Sequence, residues 1–326
     1  MDILTAVQAN LISPAVLFFV LGFLAAVAKS DLKFPEPLYA GLTIYLLIAI
    51  GFKGGVAISA AGLGKVWLPS LGAIALGSII PLWTYALLRY RGRFSGVDAA
   101  AIAAHYGSVS AITFIAATNY LSAISQPYED YAIAFLAVME SPAILIGVVL
   151  GKLAMKKSGG LPDVSLRSAI HEAVFGRSIV LLVGSLVVGA LCGAQGMKKV
   201  EPFFVTPFQG VLVLFLLEMG VVAGRRVGDL RRAGLYLLAF GIVVPLINGA
   251  LGVLVGKVAG LESGGATLLG VLAASASYIA APAAIRTSLP DANPGLYLTA
   301  ALAITFPFNI TFGIPIYLEM ARLLYS

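Results

Sequence analysis

Charge is scarce in this chain. Only 11% of its 326 residues are Asp, Glu, Lys or Arg, against roughly 25% in a soluble globular domain. Charge that sparse cannot cover a water-facing surface, which excludes a soluble enzyme. Cysteine is nearly absent too: Cys192 stands alone, so the chain can build no intrachain disulfide, thiolate metal cluster or CxxC redox pair. The alternating ten-residue strands of an outer-membrane barrel are missing. So is a Gly-rich phosphate loop on a soluble domain, which leaves ATP-driven transport by this chain alone unsupported. No Lys-rich segment precedes the first apolar run, only Asp2, and no convincing cleavage site follows it; the run reads as a membrane span, not a removed signal peptide.

What remains is apolar. Hydrophobic residues make up 60% of the chain, and its 36 Gly and 16 Pro fall within and between long apolar runs. Helices that satisfy their own backbone hydrogen bonds suit such runs to a bilayer. The expected fold class is therefore an all-α integral membrane protein, and the net charge of +6 bears on topology, with no nucleic acid implied. Ten apolar stretches are long enough to span, near 8–28, 37–60, 66–89, 98–119, 130–154, 177–196, 203–223, 234–256, 264–285 and 295–323. With the amino terminus outside, 15 of the 21 Lys and Arg residues fall at the cytoplasmic loops and 5 on the other side, Lys53 lying within span 2. The positive-inside rule then places both termini outside the cytoplasm. The longest loop, 156–176, is cytoplasmic, and its segment SLRSAIHEAVFGR reads equally as a short amphipathic surface helix or a solvated linker.

The two halves resemble each other. GLTIYLLIAIGFKGG from Gly41 aligns without gaps with GVLVLFLLEMGVVAG from Gly210, matching Gly41, Gly51 and Gly55 to Gly210, Gly220 and Gly224. The same offset less two brings Ser108 and Ser110 onto Ser275 and Ser277, and the full offset carries Glu140 onto Asn309. Residues 1–155 and 177–326 thus read as two five-span copies of one unit, joined by the linker 156–176. Five is odd, so the copies must lie in opposite orientations, the inverted-repeat plan of many secondary transporters. Gly at helical spacing also serves close helix packing, but three matched regions in one order weigh against chance.

Spans 4 and 9 carry the candidate chemistry. GSVSA (Gly107, Ser108, Val109, Ser110, Ala111) and ASASY (with Ser275, Ala276, Ser277, Tyr278), the latter followed by Pro282, fall at matching mid-membrane depth. Ser hydroxyls compete for backbone partners and Pro removes a donor, so both spans are expected to break there. In inverted copies the amino ends of the two second half-helices converge, and their free N–H groups make a site for a small anion without buried Arg or Lys. Intramembrane Glu140 and its counterpart Asn309, with Thr113, Thr305 or Thr311, offer hard oxygen donors for Na+. Alternatively, Glu140 titrates and couples to H+, or is a structural hydrogen-bonding partner. Glu218 has no repeat partner and reads as structural, paired with Lys53 or a polar helix face; Glu319 can snorkel. His105, one turn before Ser108, brings a serine hydrolase to mind, but the serines are duplicated and the His is not.

The strings MDILTAVQANLISPAVLFFVLGFLAAVAKSDLKFPEPLY, AAHYGSVSAITFIAA, FLAVMESPAILIG and ALAITFPFNITFGIPIY resemble the cyanobacterial sodium-dependent bicarbonate transporters, the SbtA family, along essentially the whole chain. The resemblance implies Na+-driven uptake of bicarbonate across the plasma membrane for the carbon-concentrating mechanism, with no cofactor beyond the coupling ion. It also implies a homotrimer and a cytoplasmic PII-like regulatory protein, while the central loop is short for the family. The residues alone reach a sodium-coupled small-anion carrier; the resemblance selects bicarbonate. Spans 3–5 and 8–10 are expected to form a moving core, and spans 1, 2, 6 and 7 a gate or scaffold whose Gly rows supply a sliding surface. A bile-acid-type sodium and organic-anion symporter, a sodium and proton antiporter, and a passive channel or receptor are the alternatives.

Overall fold

The computed structural model describes residues 12–157, 171, 175–225 and 227–326. The amino-terminal part of span 1 and most of the expected surface helix in the central loop lie outside the described residues. Every regular element among the described residues is helical. In chain order they are α1 Pro14–Val27, α2 Glu36–Ala61, α3 Leu63–Ala86 with a π-helical end at Leu87–Arg91, α4 Gly96–Gly107, α5 Ala111–Ala123 and α6 Ile133–Lys157. The second half contributes α7 Arg177–Phe204, α8 Phe208–Arg225, α9 Val227–Val258, α10 Ser263–Ala274, α11 Ala280–Ser288 and α12 Pro294–Tyr325, the last with π-helical stretches at Thr299–Thr305 and Asn309–Gly313.

Among the described residues eight helices are long and apolar enough to cross a membrane, counting Gly96–Ala123 as one. They coincide with eight of the ten apolar stretches read from the sequence. Stretches 1 and 9 carry the shorter apolar helices, α1 and α10. The chain is a multi-pass membrane protein. Prolines within α3, α6 and α9 (Pro81, Pro142, Pro245) sit in helices that continue through them, as neighbouring helices permit at membrane depth. The bends in α7 and α9 come instead at Gly193 (φ 59°) and Gly234 (φ 77°), where only a residue without Cβ takes the left-handed conformation at no steric cost.

Packing pairs helices of the first half with helices of the second. The helix α2 lies along α7, and α8 lies along α1. The aligned glycines behave alike within each pair. A Cβ on Gly51 or Gly55 would overlap α7 backbone at Leu182 and Leu186, and one on Gly220 or Gly224 would overlap α1 backbone at Phe19 and Phe23, while Gly41 and Gly210 both face open space. Gly22 and Gly189 answer from the partner helices, against Leu217 and Phe52 backbone. Backbones meet directly there, the small-residue packing that replaces a hydrophobic drive in lipid. This adds to the expected role of the Gly rows: Gly51, Gly55, Gly220 and Gly224 hold α2 to α7 and α8 to α1, while Gly54 faces span 5 at the Ile133 side chain. The helices of spans 3–5 and 8–10 form two further groups, α3 with α4 and α6, and α9 with α10 and α12. The α4–α5 segment is the most enclosed, with 94% of its most apolar stretch buried.

Candidate functional site

The chain breaks twice inside the protein. The helix α4 ends at Gly107; Ser108 is extended (φ −79°, ψ 172°), and Ser110 (φ −108°, ψ 109°) caps α5 by accepting the Thr113 N–H at 3.1 Å. Serine is a preferred N-cap because its hydroxyl replaces the acceptor that a first helical turn lacks. In the second half α10 ends at Ala274, Ser275 is extended (φ −81°, ψ 164°), and α11 begins at Ala280. Pro282 lies in the first turn of α11, where no intrahelical acceptor is lost. A helix continued through 275–279 would set the Pro282 ring against the Tyr278 carbonyl, so serines and proline both favour the break.

The two breaks cross in contact. The Ser110 N–H donates to Ser275 Oγ at 2.9 Å, and the Ser277 N–H donates to the His105 carbonyl at 2.8 Å. Ser275 Oγ in turn donates to Leu272 O at 2.8 Å, and Ser277 Oγ accepts the Ala281 N–H at 3.2 Å. Alanines around the crossing (Ala101, Ala104, Ala273, Ala274, Ala281) are all fully buried and let four half-helices approach closely. The N–H groups of Ala111 and Ile112, which open α5, have no acceptor among the described residues, nor do those of Tyr278 and Ile279 ahead of α11. Ser108 Oγ is also buried without a partner. This is donor capacity with a positive helix-end field and no basic side chain.

A cavity of about 10 Å³ lies at the crossing, lined by Val109, Ser110, Ala111, Glu140, Ser277 and Tyr278 with Leu47, Leu136 and Ile279. It has room for one water-sized body. Glu140, on α6, is 5% exposed and has no hydrogen-bond or ion-pair partner among the described residues. The structure thus brings Glu140 together with the two serine segments. It does not bring in every oxygen expected of an ion site. Thr113 gives its hydroxyl to Ser110 Oγ at 2.8 Å. Asn309 donates to Ala274 O at 2.9 Å and accepts from Tyr317 at 2.8 Å, while Thr305 bridges Tyr106 (2.6 Å) and Gly241 O (2.8 Å). Thr311 is turned to its own helix, bonding Pro307 O at 2.6 Å. Asn309 and Thr305 therefore tie α12 to α10, α4 and α9, away from the cavity lining.

A second cavity of about 560 Å³ meets the first at Leu47, Tyr278 and Ile279, and reaches outward to Glu36, Arg177 and Arg286. Glu218 lines it, within electrostatic reach of Arg225, whereas Lys53 is exposed elsewhere and does not pair with it. Glu319 pairs with Arg322 at 2.6 Å. His105 Nδ1 lies 2.6 Å from Ala101 O, its ring stacks on Tyr297, and its Nε2 and Ser108 Oγ each lack a partner, so the two form no hydrogen-bonded dyad. Sequence reasoning missed Leu47, Leu136 and Ile279, apolar residues in apolar spans that carry no mark of a lining role. It also missed Glu36 and Arg286 as cavity residues, although both were visible as charges at span ends.

These features define a polytopic helical membrane protein with a polar, water-sized cavity at a crossing of two broken helices. The chain matches the model of the Na+-dependent bicarbonate transporter superfamily over residues 14–322, and it belongs to that superfamily. A search of curated proteins gives no match.

Proposed function

We propose that this protein is a secondary active symporter that carries bicarbonate into the cell with Na+, serving inorganic-carbon accumulation. The observation that carries the reading is the cavity where Ser110, Ser277 and Glu140 meet beside unpartnered helix-opening N–H groups. An anion is held there by backbone and hydroxyl donors, and Na+ by Glu140 and nearby oxygens. Because 10 Å³ holds only a water-sized body, bicarbonate enters with a shift of Leu47, Tyr278 and Ile279, the residues between the two cavities. Sodium beside Glu140 lowers the electrostatic cost of bringing the anion to mid-membrane.

We read the ten spans as two inverted five-helix repeats. The reciprocal pairing of α2 with α7 and α8 with α1, and the matched surroundings of the aligned glycines, support this. The helices α1, α2, α7 and α8 make the scaffold and the others the core, which carries the site across the membrane as an elevator. With both termini outside, the larger cavity opens to the cytoplasm, so the structure is the inward-facing state. The apolar face of α7, where Val187, Val188 and Leu191 are exposed, is the face we assign to a homotrimer contact. A PII-like regulatory protein would meet the cytoplasmic face of what we take to be the plasma membrane.

The test is uptake of radiolabelled bicarbonate into proteoliposomes, with and without an inward Na+ gradient, at a pH where dissolved CO2 is scarce. Uphill uptake that requires Na+ supports the symporter. Uptake of bile-acid-like anions in its place, Na+ flux driven by a proton gradient, or downhill flux alone would each replace it by the corresponding alternative.

A further inference from the structure

One hydrogen-bonded pair joins helices that otherwise scarcely touch. Asn119, in the last turn of α5, and Gln209, in the first turn of α8, exchange two hydrogen bonds: Asn119 Nδ2 donates to Gln209 Oε1 at 3.0 Å and Gln209 Nε2 donates to Asn119 Oδ1 at 2.7 Å. Little else connects these two helices. In the two-body reading above, α5 belongs to the core and α8 to the scaffold, so this point contact fastens one body to the other. In the topology proposed above it lies on the external face, opposite the larger cavity.

The repeat supplies a counterpart on the other face. The last turn of α11 answers to that of α5, and Gln209 of α8 answers to Ala40, the residue after the first turn of α2. The last turn of α11 holds Arg286, and the first turn of α2 holds Glu36. Both are exposed, both line the larger cavity, and among the described residues no ion pair joins them. The contact that is made on one face is thus parted on the other, with an opposite-charge pair where the first face has two amides.

We propose that Asn119–Gln209 and Glu36–Arg286 are the two gates of the transport cycle. In the state described here the amide pair seals the external face and the charged pair stands open across the cytoplasmic cavity. Sliding of the core parts the amides and brings Arg286 to Glu36. The two gates therefore differ in kind. The external one is neutral and insensitive to salt, and the cytoplasmic one is ionic, so its closure is screened as ionic strength rises. This inference rests on the core-and-scaffold reading, and its test separates the two.

The test uses a Cys192→Ser chain, free of cysteine, in proteoliposomes. In one arm Asn119→Cys and Gln209→Cys are joined by a short reducible thiol crosslinker; uptake should fall at least about tenfold and return on reduction, the loss expected when one of two alternating states is removed. Undiminished uptake after complete crosslinking overturns the external gate. In a second arm Glu36→Arg and Arg286→Glu each slow uptake and the double exchange restores it; a double variant no better than the singles overturns the cytoplasmic gate. A third arm needs no transport: Thr43→Cys in the cavity wall is labelled by an impermeant maleimide from the cavity side. Asn119→Ala, which removes two hydrogen bonds that hold this state, should slow labelling about tenfold, and unchanged labelling overturns the proposal. If the Cys192→Ser parent shows no Na+-driven uptake while labelling shifts as expected, the symport reading fails and the gates stand.

Discussion

Ser275→Ala separates a hydroxyl that holds the crossing together from one that does not. Ser275 is 1% exposed, and its Oγ is the acceptor for the Ser110 N–H at 2.9 Å. Truncation leaves that N–H without an acceptor among the described residues. Leu272 O, the other partner, keeps the Ser275 N–H at 3.1 Å, so one orphaned donor is the net change. A buried unsatisfied donor costs about 1–3 kcal/mol, and about 1.4 kcal/mol is a factor of ten in an equilibrium. Ser288 provides the control, being equally buried with an Oγ that has no partner; removing it loses no hydrogen bond. Thermal unfolding in detergent should show Ser275→Ala below the parent and Ser288→Ala level with it or above. Bicarbonate uptake should fall about tenfold or more in Ser275→Ala, because the orphaned N–H stands at the cap of α5 and the cap positions the donors of the site. If Ser275→Ala unfolds and transports like Ser288→Ala, the crossing is not held by this bond and the site geometry derived from it is wrong.

Ser108→Ala should leave the unfolding temperature unchanged, since its buried hydroxyl has no protein partner, yet weaken bicarbonate uptake; equal uptake would show that this hydroxyl does not serve the anion. Glu140→Gln should raise the Na+ concentration for half-maximal uptake at least about tenfold, and an unaltered sodium curve would remove Glu140 from the ion site. Gly220→Val, which drives a side chain into the Phe19 backbone, should cost about 1–3 kcal/mol or more and lower the yield of folded protein, whereas Gly210→Ala, facing open space, should be tolerated; equal yields would refute the direct backbone contact of α8 with α1. Burial, with the nearby Glu262 carboxylate, holds the loop residue Glu129 above the usual carboxylate range despite the Glu262 N–H it accepts at 2.7 Å. The folded state therefore binds this proton more tightly than the unfolded one, and the stability it lends below the ordinary carboxylate pKa is lost as pH rises towards the raised value. Glu129→Gln, which keeps an acceptor for that N–H, should gain on the parent in melting temperature as pH rises above about 4; parallel melting curves would count against it.

What the sequence disclosed and what it withheld divide along a physical line. Hydropathy located the helices because bilayer thickness fixes their length, and the serine-rich breaks were visible because Ser at a helix end has a local chemical reason to be there. Pro282 was legible as well, since a proline opposes an unbroken helix through the four residues before it and is tolerated in a first turn. Glu140 was legible as an isolated charge in an apolar span. Asn309 and Thr305 were legible only as polar, and which neighbour takes their hydrogen bonds is set by helices some 35 to 199 residues away in the chain.

The glycines show the same limit from the other side. Their alignment was plain, and it is the basis for reading two copies of one unit, but a row of missing side chains marks only a close approach, without saying what approaches. The structure supplies the partner: Gly51 and Gly55 meet α7, and Gly220 and Gly224 meet α1. That answer changes the mechanics. A glycine row against core helices would make a lubricated seam, whereas one that sets backbone against backbone makes a rigid joint. Between the proposed core and scaffold, α2 meets α3 and α6, and α8 meets α12, while α5 and α8, and α11 and α2, touch little. On the gate proposal the side chains that meet or part at those two places are Asn119, Gln209, Glu36 and Arg286, which assigns control of the core's movement to helix ends.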